Sequence, residues 1–272
     1  MKIDFHVHVT PPQVIANPQK FAKKEPYFAL LAKSPNNKYA AAENVIAALD
    51  ESHFDKAVIF GFSFNDMALC RMVNDYVIEK VQEFPDRLIC FMSISPNAKG
   101  MEAEIQRCKK AGLCGIGEIF KIEFDNEKQT RPLTDLCIEL DIPLMVHVNE
   151  PVGHNYIGKN DIPLQKIERF IQNSRGAKIV LAHLGGGLFL YEAMKGLSEK
   201  FCNVYYDTAA VPFLYDERIY RAVASMGLCN KVLFGSDFPL LKQARCLEGL
   251  EKSGISSQDK ELILGTNAVR LL

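Results

Sequence analysis

The chain alternates eight times between short aliphatic runs and longer segments with helical periodicity, and few folds accommodate that pattern. Strand-like runs lie at residues 3–9, 56–62, 88–94, 114–120, 143–149, 178–184, 204–209 and 231–236. Apolar residues at helical spacing predict helices at 41–53, 67–84, 101–111, 132–140, 162–173, 189–200 and 215–226, with more helix to the end of the chain. Residues 10–40 are rich in Pro, Lys and Asn and predict an extended loop with one short helix. Such alternation calls for parallel strands with helices outside. Eight units in 272 residues match a closed (β/α)8 TIM barrel better than an open doubly wound sheet. No G-x-G-x-x-G turn follows the first run, which counts against a dinucleotide-binding fold. The glycines at 185–187 predict a tight turn, and no linker divides the chain, so residues 1–272 read as one domain.

In a barrel, reactive side chains come from the C-terminal ends of the strands. The first run, DFHVH at 4–8, carries two imidazoles. As a regular strand it sends Asp4, His6 and His8 to one face and Ile3, Phe5, Val7 and Val9 to the other. The fourth run ends in Glu118 (GIGE), the fifth in His147 (LMVH), the sixth in His183 (VLAH) and the eighth in Asp237 (FGSD). Each alone has an ordinary explanation: a solvated glutamate, hydrogen-bonded core histidines, a helix-capping aspartate. Six such residues at one barrel mouth point instead to a divalent metal, because neutral imidazoles and carboxylates suit borderline cations such as zinc or manganese. His53 and His154 fall outside strand ends and receive no ligand role. Lys121, beyond the fourth run, reads as a surface or pocket charge. Phe62, Phe64, Asn149, Glu150, Asp207, Thr208 and Phe238 follow strand ends and are candidates for the pocket wall.

Composition narrows the partners. A formal net charge of -1 gives no global field toward nucleic acid or anionic membrane, and a small-molecule substrate is expected. The eight cysteines are scattered without a C-x-x-C pair and read as reduced, mostly buried thiols. No run of about 18 apolar residues occurs, and the first residues form a strand rather than a basic and apolar leader, so the expected compartment is the cytoplasm. Oligomeric state stays open, a homo-oligomer included.

The ligand pattern resembles that of the amidohydrolase superfamily, with His-x-His on the first strand, Lys or Glu on the fourth, His on the fifth and sixth, and Asp on the eighth. Within it the chain is similar over nearly its whole length to the amidohydrolase-related (amidohydrolase 2) family. The stretches KAVIFGF (56–62), FPDRL (84–88), LAHLGG (181–186), FGSDFP (234–239) and GTNAVR (265–270) carry that similarity. The resemblance implies a metal-dependent hydrolase of a small ester, lactone, amide or related bond. Asp237 would bind metal and carry the proton, His183 would ligate a second metal or polarise the substrate, and His6, His8, Glu118 and His147 would complete the cage. Many relatives lack an acidic residue on the fourth strand and hold one ion; Glu118 resembles the branch in which a glutamate bridges two. The expected cofactor is therefore one or two divalent ions, zinc or manganese. The resemblance also admits a metal-dependent decarboxylase of a small aromatic or unsaturated acid, and a barrel that binds metal without turnover.

Overall fold

The computed structural model describes residues 1–35, 37–96, 98–160 and 162–272. Eight parallel strands follow one another around the sheet in chain order: β1 (Ile3–His8), β2 (Lys56–Phe60), β3 (Leu88–Met92), β4 (Gly115–Ile119), β5 (Leu144–Val146), β6 (Ile179–Leu181), β7 (Val204–Asp207) and β8 (Val232–Leu233). The ring closes between β1 and the segment after β8. Phe5 N–H donates to the Phe234 carbonyl (2.7 Å), Asp237 N–H to that of His6 (3.0 Å) and His8 N–H to that of Phe238 (2.7 Å). Ile3 and Phe5 pack inside the barrel with Val58, Phe60, Phe91, Met145, Val180 and Leu233, over Ala268 and Leu271 of the last helix. The alternate strand positions, such as Ile59, Val146 and Leu181, pack outward beneath the helices. This is the (β/α)8 barrel that the alternation predicts.

Several elements depart from expectation. Residues 10–40 hold three short helices, α1 (Pro12–Ala16), α2 (Pro18–Ala22) and α3 (Pro26–Lys33), each beginning on a proline. Proline has a preset helical φ and needs no N–H donor in the first turn, so these prolines start helices where they were expected to prevent them. The outer helices α4 (Ala42–Ser52), α5 (Met67–Glu83) and α6 (Met101–Lys110) fall where periodicity puts them. In α7 (Glu127–Glu139), however, Pro132 lies inside rather than at the start. Beyond α8 (Leu164–Asn173), β6 stops at Leu181 instead of reaching residue 184, and α9 (Ala182–Gly185) contains His183 and Leu184 at φ 58° and 54°. The predicted helix 189–200 is a 3-10 turn, Leu188–Ala193, followed by α10 (Leu197–Lys200). The helix predicted at 215–226 is α12 (Arg218–Ser225), preceded by a separate turn, α11 (Val211–Leu214). The eighth strand is only two residues long, and α13 (Gln243–Lys252) follows it.

Outside the barrel mouth, Glu104 of α6 is fully buried and accepts from Asn74, Arg71 and Arg107. Burial alone would raise its carboxyl, but these donors outweigh it and bring it down to about 2. A depressed carboxyl contributes stability that is complete above its unfolded value near 4.5 and is lost as pH falls toward 2. Glu104→Gln is expected to cost about 2 kcal/mol at neutral pH and to flatten the stability profile over that window, as read by chemical denaturation. A loss that stays constant down to about pH 3 would show that the carboxylate charge is not what holds α5 to α6.

Candidate metal centre

Two local irregularities place the donors. Between Asp4 and Val7 the register of β1 against β2 shifts by a residue. Ile3 and Phe5 face the interior, yet Val7 and Val9 pack outside, so the alternation changes phase and His6 and His8 face the mouth. Asp4 is therefore not on the face of His6 and His8, as regular alternation had it. It is turned outward, where its carboxylate accepts from Ser236 N–H (2.9 Å) and Ser236 Oγ (2.5 Å). Burial pushes this carboxyl up to about 6 against the lowering effect of Ser236. A similar shift in β4 falls between Ile116 and Ile119 and turns Glu118 inward. Gly117 permits it, because a Cβ there would lie 2.6 Å from Met145 Cβ.

The remaining donors sit just past their strands. His147 follows β5, and His183 lies in the left-handed turn after β6. The glycine run is the predicted tight turn: Gly186 has φ 60°, and a Cβ on it would meet the Asn149 carbonyl oxygen at 2.3 Å. Only glycine lets the β6 turn close onto the end of β5, which brings His183 beside His147. Asp237 stands in the segment after β8 with φ 66°.

All six sequence-predicted residues converge, in two groups joined by one carboxylate. In the first, His6 Nε2 and His8 Nε2 are 3.2 Å apart, and Asp237 Oδ1 lies 3.2 Å from His8 and 3.8 Å from His6. In the second, His147 Nδ1 is 3.2 Å from His183 Nε2. Glu118 spans the two: Oε2 lies 3.6 Å from both His6 and His8, while Oε1 is 2.8 Å from His147 and 3.6 Å from His183. Nitrogen and oxygen atoms about 2.0–2.1 Å from one tetrahedral ion stand about 3.3 Å apart, so these spacings, apart from the 2.8 Å Glu118–His147 hydrogen bond, are near those of a cation's donor shell. The groups behind the rings agree. His6 Nδ1 donates to Asp207 (2.9 Å) and His183 Nδ1 to the Ala209 carbonyl (2.9 Å), which leaves each Nε2 lone pair facing the site. The chain therefore carries two donor clusters suited to one or two divalent ions, zinc or manganese.

Without a cation, protons take its place. Burial would lower His183, but Glu118 outweighs it and raises the imidazole to about 9. His6 is likewise raised, burial being overcome by Asp207 and Glu118. Glu118 is held well below the usual carboxylate range, His147 and His6 outweighing its burial. A cation using His183 Nε2 must displace that proton, so affinity is expected to rise with pH until it passes about 9. Calorimetric Zn(II) titration in buffers of different ionisation enthalpy should show proton release near neutral pH. Binding that is flat between about pH 6 and about pH 9 would contradict it.

Asp207 was expected only as a pocket candidate, but it organises the site from behind. Besides His6, its Oδ1 accepts from His183 N–H and Ala209 N–H, both at 3.0 Å. Thr208 bonds Gly235, and Phe64 is buried in the core rather than in the pocket wall. Asn149 Nδ2 lies 3.0 Å from His147 Nε2, and Glu150 accepts from Tyr156. His53, His154 and Lys121 are exposed and outside the two groups. Phe62, expected as a pocket candidate, belongs to an aromatic wall whose other members, Phe120 and Tyr27, sequence reasoning missed. Phe120 stacks on Phe62 (4.9 Å between ring centres) and lies against Tyr27 (5.2 Å), His147 (5.1 Å) and His8 (6.1 Å). Tyr27 comes from α3, and its hydroxyl donates to the Gly158 carbonyl (3.1 Å). Position 120 next to Glu118 was an available signal; Tyr27 was hidden in the proline-rich segment.

A (β/α)8 barrel with imidazole and carboxylate donors converging at its mouth defines the metal-dependent barrel enzymes as a class. The family model described as Amidohydrolase matches residues 3–272, and the chain belongs to that family. No curated protein matches it. Among solved structures it is similar to 5-carboxyvanillate decarboxylase from Novosphingobium aromaticivorans, complexed with manganese and 4-hydroxy-3-methoxy-5-nitrobenzoic acid. That match has 17% identity and a TM-score of 0.77, covering 100% of this chain and 95% of that one. 2,6-Dihydroxybenzoate decarboxylase from Rhizobium matches at 18% identity and a TM-score of 0.74, over 99% of this chain and 98% of that one. A putative amidohydrolase from Staphylococcus aureus matches at 17% and 0.74, over 100% and 99%. Among the described residues no helix is long and apolar enough to cross a membrane, and the eight cysteines are free thiols, most of them buried.

Proposed function

We propose that the protein is a metal-dependent decarboxylase of a small aromatic or unsaturated carboxylic acid, which reverses the order expected from sequence, where hydrolysis came first. The observation that carries it is the aromatic wall. Phe120 lies against His8 and His147, with Phe62 stacked on it and Tyr27 tilted beside it, so an aromatic cluster adjoins the donor groups, surroundings that suit a planar ring. The decarboxylases among the similar structures act on aromatic acids, which supports the same reading.

In this scheme His6, His8, Asp237 and Glu118 would hold the cation, with His147 and His183 available to a second. A bound divalent ion would polarise a substrate oxygen and stabilise negative charge on it. Phe120 orients the ring. The bond to the carboxylate carbon breaks, its electron pair passes to the ring carbon, and a proton must reach that carbon as carbon dioxide leaves. His183, whose Nε2 lies 3.6 Å from Glu118 Oε1 and which is not among the residues that would hold the first cation, is the group assigned to supply it.

Hydrolysis is kept as the second reading because Glu118 spans both donor groups, as a carboxylate bridging two ions would. Protein loaded with Zn(II) or Mn(II) should release carbon dioxide from hydroxylated benzoic acids and leave ester, lactone and amide panels untouched. The opposite pattern would move the assignment to hydrolysis, and loaded protein silent on both panels would favour a metal-binding barrel without turnover.

A further inference from the structure

Asp4 is a fully buried carboxylate two residues from His6, and neither reading of the reaction gives it a task. Its surroundings do. The barrel closes at β1 and residues 234–238, where β8 has already ended and pairing is reduced to three backbone hydrogen bonds and the isolated Val7–Phe238 bridge, so the side-chain contacts across this seam add to what places Asp237. Asp4 Oδ1 accepts from Ser236 N–H (2.9 Å) and from His6 N–H (3.4 Å), so one oxygen touches both segments. Its Oδ2 accepts from Ser236 Oγ (2.5 Å), and that hydroxyl oxygen accepts from Phe238 N–H (3.0 Å). Residues on both sides of Asp237 are thereby tied to the strand that carries His6 and His8. Asp237 itself sits at φ 66°, in the left-handed region that Asp enters more readily than most residues with a Cβ but that is uncommon even so.

We propose that Asp4 is a positioning residue: with Ser236 it clamps the closing seam, sets the spacing between the His6–His8 pair and Asp237, and thereby sets the metal affinity of that group. The proposal rests on the metal-dependent reading of the site. The β1 register shift is what makes the clamp possible, because it faces Asp4 toward the seam and the two imidazoles toward the mouth.

The test uses Asp4→Asn, Ser236→Ala and the double variant, each full length, stripped with chelator and titrated with Zn(II) alone against a chromophoric competitor. Co(II) loading provides a visible spectrum of the donor geometry. The expected result is Zn(II) binding about 10–100-fold weaker in Asp4→Asn, with a changed Co(II) spectrum, as is usual when groups behind metal ligands are lost. Ser236→Ala should shift in the same direction, and the double variant should bind about as weakly as the weaker single variant, short of the product of the two fold-changes, since the two residues act through one contact. Native affinity and spectrum in both single variants, with only a lower melting temperature, would overturn the positioning role and leave a structural one. If Asp4→Asn does not fold, Ser236→Ala decides by the same measurements. Wild-type protein that takes up neither ion overturns the metal reading and this proposal together, whereas wild-type binding matched by the variants overturns this proposal alone.

Discussion

Asp237→Asn is expected to keep the fold and to lower turnover by about 10²–10⁴-fold, through loss of a charged cation ligand if the reaction is decarboxylation and of the proton carrier as well if it is hydrolysis. Asn tolerates the φ of 66° at this position as well as Asp does, so the backbone has no reason to move. The amide oxygen can still face His8, which Asp237 Oδ1 approaches to 3.2 Å, but it carries no charge to offset a cation and accepts no proton. Burial would raise the native carboxyl, and His8 and His6 more than reverse that, so the site is built around an ionised Asp237. The measurement is turnover of metal-loaded protein on an identified substrate beside far-UV circular dichroism. A folded variant with near-native turnover would remove Asp237 from the chemistry under either reading.

The second large effect belongs to Glu118. Glu118→Gln is expected to lower saturating metal content toward one ion per chain, because a neutral amide bridges two positive ions poorly. The geometry makes the expectation specific: Oε2 serves the His6–His8 side and Oε1 the His147–His183 side, so one substitution weakens both. Elemental analysis after dialysis reads the ratio. Wild-type protein saturating at a single ion, with the variant unchanged, would take away the bridge and with it the main support for hydrolysis. Two ions in the wild type and one in the variant would establish the bridge and leave the choice of reaction to the substrate panels.

The barrel and the six donors were legible because each rests on one-dimensional signals. Alternation of strand-like and helical periods survives small errors in boundaries, and a His, Asp or Glu ending an apolar run is conspicuous wherever the run stops. What depended on regular geometry was misread. Asp4 was placed with His6 and His8 because strict period-two alternation leaves no room for the shift between Asp4 and Val7. His183 was read as the end of a strand, although the β6 strand stops at Leu181 and the glycines that follow fold His183 back in a left-handed turn. Tyr27 escaped notice because prolines at 12, 18 and 26 were read as breaking helices, whereas each begins one. Phe62 was found from its place just past a strand end, as Phe120 could have been, but Tyr27 meets them only in three dimensions, and no local pattern announces it.

The seam between β1 and residues 234–238 also bears on how the protein reaches its working state. Asp4 and Ser236 are 232 positions apart in the chain, and His6, His8 and Asp237 come together only when those two segments join. Contacts of such long sequence separation are costly to form early, because nearly the whole chain must be enclosed as a loop first. A nascent chain therefore lacks the first donor group until its last strand has been made. Metal that binds there draws the equilibrium toward the closed ring by mass action. Supply of the ion in the cell would act on the abundance of intact enzyme as well as on its activity.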